Sequence, residues 1–374
     1  MTAPEIKIEL IEIYQSRIKL KAPFIISLGK FDYAENIIVK MICSSGITGF
    51  GECSPFMTIN GESMDTCFIV GQYLAKVLIG KNPLLIDDCS QTMDAVIYGN
   101  ASVKSAFDIA LYDIASQFAN QPLYKFLNGT NKILVTDYTV SINEADKMAN
   151  DAQVIKDDGF KIIKVKLGGT KEKDIKRIKA IRNKIGNEIP IRIDANQGWN
   201  VNTAIEILNA LSHFNIQYCE EPIPRWNFMQ LSEIKKQSPI PIMADESCCD
   251  EHDAERLVAL NACDLFNIKL GKSSGIFKAL KIIKLAEQAG IMLQVGGFLE
   301  SRLGFTASAH LALTSNNILH CDFDTPLMFE EDSIEGGITY GVNGTIQVPD
   351  KIGLGATVDE NYLKQLTKVI VSKN

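Results

Sequence analysis

From about residue 133 onward the chain alternates short β-branched runs with amphipathic stretches, and this rhythm constrains the fold more than any single motif. The runs fall at 134–140, 162–167, 190–194, 216–220, 241–245, 265–269, 291–295 and 318–323. Segments such as 171–185 and 276–289 separate them, each long enough for one crossover helix. Eight such units predict a closed (β/α)8 barrel. An open doubly wound sheet is the competitor, but no G-x-G-x-x-G follows the first strand of the unit.

The chain before this rhythm reads differently. Runs at 5–13 and 37–42 have strand character, 46–51 holds a turn and a return, and 102–118 spaces its apolar residues as a helix does. That is an α+β unit. After Pro326, the segment GGITYGVNGTIQVP predicts turn-rich strands that return to this first unit. The expected division is an N-terminal capping domain (1–128), a barrel (129–325) and a C-terminal segment (326–374) that rejoins the cap. Glu330, Glu331 and Asp332 read as a solvated loop.

Composition removes several classes of function. A net charge of −7 gives no basic surface for nucleic acid, and no run approaches the length of a membrane span. The start of the chain mixes Glu5, Lys7 and Glu9 among its apolar residues, which is unlike a signal peptide, so a cytoplasmic protein is expected. The nine cysteines are scattered without zinc spacing and suit reduced, buried thiols, including the adjacent pair Cys248 and Cys249. His213, His252, His310 and His320 do not cluster, and structural roles are expected for all four. The Gly168-Gly169 and 271–275 segments read as βα turns, not phosphate cradles.

In a barrel, residues at the carboxyl ends of the strands share one mouth, so chemistry is sought there. Three successive strands end in a carboxylate: Asp194, Glu220 and Asp245. Singly, an Asp after a strand is an ordinary helix cap. Together, three converging oxygen donors repel one another and ask for a hard cation such as Mg²⁺, one per chain. Lys164 and Lys166 stand two apart on the second strand and point to the same face. Lys-Val-Lys alone is no more than a charged strand end, but Lys269 lies four strands further round. Lys166 and Lys269 can then flank one substrate carbon from its two faces, with Lys164 expected to depress the pKa of Lys166. Asp322 and Asp324 alternate with Phe323 and can accept hydrogen bonds from a substrate ammonium.

KVK, DANQGW, EEP, ADES and NIKLG, in this order and at barrel-strand spacing, resemble the motifs of the enolase superfamily in its muconate-lactonizing subgroup. The resemblance covers nearly the whole chain. That superfamily is known for pairing a Lys or His base with Mg²⁺ that stabilises an enediolate, so the mechanism is inherited from the resemblance. It implies that Mg²⁺ on Asp194, Glu220 and Asp245 holds a substrate carboxylate. One of Lys166 and Lys269 takes the α-proton and the other returns it, assisted by Lys164. Asp322-Phe323-Asp324 looks like the Asp-x-Asp of dipeptide epimerases, where it binds the N-terminal amine; Thr136 and Phe298 join the expected substrate contacts.

The implied substrate is an L-Ala-Xaa dipeptide inverted at its second residue. Epimerases that prefer Glu there resemble each other in an arginine on the first cap loop, where this chain has Gly29. With Phe24, Ile25, Ile26, Leu28 and Phe56 on the cap loops, apolar or varied second residues are expected, unless Lys30 restores acid recognition. An o-succinylbenzoate synthase or N-acylamino acid racemase on the same scaffold stays open. So does a non-catalytic barrel, although that would need neither the lysines nor the acids. A homo-oligomer is the base-rate expectation.

Overall fold

The computed structural model describes residues 6–373. An antiparallel sheet opens the chain, in the order Thr367–Ser372, Ile8–Ile26, Gly29–Cys43, Thr48–Cys53. Its first strand starts at Ile8, and Glu5 of the expected run lies outside the described residues. Ile37, Val39 and Met41 alternate along one face of the second strand and pack with Ile11 and Ile13 against Val103, Phe107 and Leu111 of the helix Ala101–Phe118. That helix lies directly on the third strand. A Cβ at Gly51 would sit 1.9 Å from the Ala106 carbonyl oxygen, so only glycine admits this approach.

Eight parallel strands follow: Tyr138–Val140, Ile163–Lys166, Ile191–Asp194, Ile216–Glu220, Ile242–Ala244, Leu265–Lys269, Met292–Gly296 and Ile318–Cys321. A parallel bridge between Thr136 and Cys321 joins the first to the last and closes the barrel. Alternation explains how the wall is built. In Ile163–Lys166 and Ile191–Asp194 the isoleucines and Val165 belong to the apolar core, while Lys164, Lys166, Arg192 and Asp194 take the opposite face and turn into the barrel.

Two expected strands differ in the structure. The run 134–140 is broken, because Leu134–Val135 pairs with Thr345–Gln347 from the C-terminal segment and only Tyr138–Val140 joins the barrel. The eighth strand ends at Cys321, so Asp322, Phe323 and Asp324 follow it as a loop.

Buried carboxylates of the first sheet and its helices fix them over the barrel mouth. Asp108 accepts from the backbone N–H groups of Ile276 and Phe277, at the start of the barrel helix Ile276–Ala289. Glu52 accepts from those of Ser301 and Gly304, at the start of Arg302–Ala312. Each satisfies orphan donors of a helix N-terminus from another part of the chain. The tip of the first hairpin is tied down as well: Ser27 Oγ donates to the Asn196 carbonyl at 2.6 Å, and Ile142 N donates to the Ile25 carbonyl at 2.9 Å. All nine cysteines are free thiols, and no described helix is long and apolar enough to cross a membrane.

Candidate active site

Register brings the charged residues to one level. Lys166 pairs with Asp194 across the second and third strands, and Asp194 with Glu220 across the third and fourth. Lys166 Nζ donates to Asp194 Oδ2 at 2.6 Å. Lys164 Nζ lies 2.8 Å from both Glu220 Oε2 and Asp322 Oδ2, and 3.2 Å from Asp194 Oδ2. Lys269 Nζ lies 2.7 Å from Asp245 Oδ2. The expected metal acids and both expected bases are therefore gathered in one buried network.

Opposite charges dominate the electrostatics of Lys164 and Lys269. Burial alone would lower Lys164, but Asp322, Glu220 and Asp194 outweigh it and hold its pKa well above the usual lysine range. Lys269 is raised in the same way, with Asp245 and Glu220 overcoming burial. Among the acids, burial would raise Asp194 and Asp245, yet Lys166 and Lys164 for the first, and Lys269 and Lys272 for the second, pull them below the usual carboxylate range. Glu220 is pushed up to about 7 by burial and by Asp194. Here the lysines themselves are the counter-charges of the acids.

Several residues that hold this network escaped the sequence reading. Asn267 Nδ2 donates to Glu220 Oε1 at 2.7 Å; it stands two before Lys269, so strand periodicity alone places it on the same face. Lys272 is fully enclosed and donates to Asp245 Oδ1 and to the Cys248 and Asn267 carbonyls, a position that no spacing rule marks. Glu221 accepts from the backbone N–H groups of Asp245 and Ser247, shaping the loop after the fifth strand. Glu221, Asn196 and Gln197 all have positive φ, so backbone strain concentrates at these strand ends.

A small cavity reaches into the network. Lys166 and Lys269 both line it, with Asp322, Asp324, Thr139, Phe24, Ile26, Phe56, Ile59 and Phe298. Phe298 lies under the Lys269 ammonium at 4.8 Å from ring centroid to Nζ, and Phe24 faces Lys166 at 5.8 Å. The Phe56 ring stacks 5.5 Å from Phe298. A wider cleft of about 720 Å³ lies outside this ring of lysines, and its Asp94 pairs with Lys104 and Lys278.

One expected contact is corrected. Thr136 is fully buried, not on the cavity: its hydroxyl donates to the Asp137 carbonyl and accepts from Phe323 N. Thr139 stands at the cavity wall instead, and its N–H donates to Asp324 Oδ2 at 2.6 Å. Gly29 sits at the hairpin turn, away from the cavity lining, where an added Cβ would meet the Phe31 ring. Lys30 is exposed, pairs with Asp32 at 3.2 Å and is not part of the cavity lining.

Residues 8–128 match the family model described as the mandelate racemase / muconate lactonizing enzyme N-terminal domain, and residues 147–362 match the enolase C-terminal domain-like model. The chain belongs to this enolase-superfamily group. A D-Ala-D/L-Ala epimerase of Cytophaga hutchinsonii is 59% identical over 97% of this chain and 99% of its own. A crystal structure of a dipeptide epimerase from that organism, complexed with Mg and D-Ala-L-Val, superposes with a TM-score of 0.97 over 98% of this chain and 100% of that one, again at 59% identity. The hydrophobic dipeptide epimerase of Enterococcus faecalis is 37% identical over 93% of this chain and 99% of its own.

Proposed function

We propose that this protein is an isomerase that inverts Cα of the second residue of Ala-Xaa dipeptides, with apolar Xaa preferred. The observation that carries the reading is the pair Lys166 and Lys269, both exposed to one cavity otherwise walled by Phe24, Ile26, Phe56 and Phe298, with Asp322 and Asp324 at its edge. A substrate carbon between two amines can lose its proton to one and regain it from the other, which inverts the centre. Asp322 and Asp324 receive the free ammonium. The aromatic and aliphatic wall receives the side chain, and the cations of the same lining, Lys166 and Lys269, are the two bases, already paired with Asp194 and Asp245.

The donor set fits a hard divalent cation. Glu220 Oε2 and Asp245 Oδ2 are buried oxygens with no hydrogen-bond donor in good geometry, held only by ammonium contacts. Asp194, Glu220 and Asp245 would hold Mg²⁺, whose charge, when bound, stabilises negative charge developing on the substrate carboxylate. Lys164, whose Nζ already bridges Asp194, Glu220 and Asp322, adds a second fixed charge at the same place. Asp245, once engaged elsewhere, no longer supports the ammonium form of Lys269, which then gains the character of a base.

The configuration of the first residue is read from the relatives: 59% identity to a D-Ala-D/L-Ala epimerase favours D-Ala over the L-Ala expected from the family pattern. Proton NMR in D₂O with Mg²⁺ tests the whole reading, using D-Ala-L-Xaa and L-Ala-L-Xaa panels. The expected result is α-proton exchange at the second residue with growth of the other diastereomer, faster for Val, Leu or Ala than for Glu. Exchange confined to N-acylated substrates would move the assignment to N-acylamino acid racemisation, the class of a Bacillus cereus relative named N-succinyl-L-Arg/Lys racemase at 35% identity.

A further inference from the structure

Beneath the ammonium end of the cavity lies a charged pair that the reaction does not use. Asp137 is completely buried, and its Oδ2 accepts from Arg192 Nη1 at 2.8 Å. Arg192 stands two residues before Asp194 on the third strand, so it turns into the barrel one layer deeper than the mouth. Its guanidinium is held on every side: by Gln217 Oε1 at 3.0 Å, the Cys321 carbonyl at 3.0 Å and His320 Nδ1 at 2.8 Å. A buried ion pair is poor value as a source of stability, because apolar residues of similar volume serve as well or better.

Its surroundings give it another role. Carboxylate oxygens of Asp137, Asp322 and Asp324 all lie within 4.8 Å of one another, and Asp137 Oδ1 has no hydrogen-bond partner. Three acids here face two fixed cations, Arg192 on Asp137 and Lys164 on Asp322, and Lys164 is shared with Asp194 and Glu220. The cluster is at least one positive charge short, which a substrate ammonium supplies. We infer that Asp137 is a positioning residue: by neutralising Arg192 it leaves Asp322 and Asp324 their full attraction for the ammonium. The Thr136 hydroxyl, bonded to the Asp137 carbonyl and to Phe323 N, ties the two segments together. Burial and then Asp322 push both Asp137 and Asp324 upward, the latter to about 7, which is the strain a cation would relieve.

This inference rests on the reading of Asp322 and Asp324 as the ammonium site, and the test separates the two. KM and kcat are measured for D-Ala-L-Val and its N-acetyl form with wild type, Asp137→Asn, and Asp137→Asn combined with Arg192→Gln. Asp137→Asn leaves Arg192 uncompensated. It should raise KM for the free dipeptide about tenfold with kcat little changed, while the acetylated form is unaffected. The double variant restores the charge count and should recover wild-type preference for the free amine; if the single variant does not fold, this recovery alone carries the test. Equal losses on both substrates, or a double variant worse than the single, would overturn the role of Asp137. A wild-type enzyme indifferent to acetylation would instead overturn the ammonium site itself.

Discussion

The barrel mouth and the hairpin that covers it are built on opposite terms. At the mouth, charged side chains are set by strand register, so Lys166, Asp194 and Glu220 meet because parallel pairing puts them side by side. On the hairpin, Phe24 and Ile26 reach the cavity after an irregularity in pairing between Lys19 and Phe24. Regular pairing fixes the reacting groups to within small tolerances, whereas an irregular loop leaves the choice of side chain open to change. Under the proposed function, chemistry belongs to the mouth and selection to the hairpin.

This contrast is broken most sharply at the lysines. Lys166→Ala or Lys269→Ala should each lower epimerisation by about a thousandfold. Each variant should still exchange the α-proton of one diastereomer in D₂O, since the remaining base faces one side of the carbon. Equal loss of exchange for both diastereomers would remove the two-face arrangement. Asp245→Asn, or removal of divalent cation with a chelator, is expected to cost on the order of a hundredfold in kcat. Calorimetric titration of the variant with Mg²⁺ should show loss of binding, and its melting temperature should fall, because Lys269 and Lys272 lose their buried counter-charge.

Hairpin and cap variants should behave differently. Phe24→Ala or Phe56→Ala should raise KM for apolar second residues by about tenfold and leave kcat within a few-fold, a loss of pocket contact and not of chemistry. A collapse of kcat would show that these rings also order the lysines beneath them.

The smallest effect lies away from both regions and serves as a control. His310 is buried and accepts from Tyr124 N through Nδ1, with Nε2 placed against the Leu354 carbonyl. Burial lowers its pKa to about 4, against 6.5 for the free side chain. The folded state thus prefers the neutral ring. The stability this confers is present above pH 6.5 and is lost as pH falls from there towards 4. His310→Gln should flatten that part of the acid-denaturation curve by a few degrees in Tm, without altering the ratio of free to acetylated dipeptide turnover.

Legibility in the sequence follows the same division. The barrel and its charged strand ends were readable because alternation with period two and one crossover per strand are local patterns, visible in IKVK and IRID. Thr136 was misplaced because the run 134–140 is continuous in sequence, while the break in it is imposed by Thr345–Gln347, far along the chain. Asp137 carried no motif. Its neighbours Arg192 and Asp322 come from the third strand and the loop after the eighth, and only closure of the barrel assembles them.

The strand Thr367–Ser372 lies antiparallel on the outer edge of Ile8–Ile26, so two ends of the described chain share one sheet. During synthesis, the hairpin emerges first and its outer edge stays uncovered until nearly all of the described chain has left the ribosome. The barrel can assemble in that interval, but the sheet that roofs it cannot be finished. An unpaired edge rich in isoleucine is a template for other chains. Translation that stalls before residue 367 should therefore yield a product prone to aggregate even though every residue of the barrel mouth has already been made.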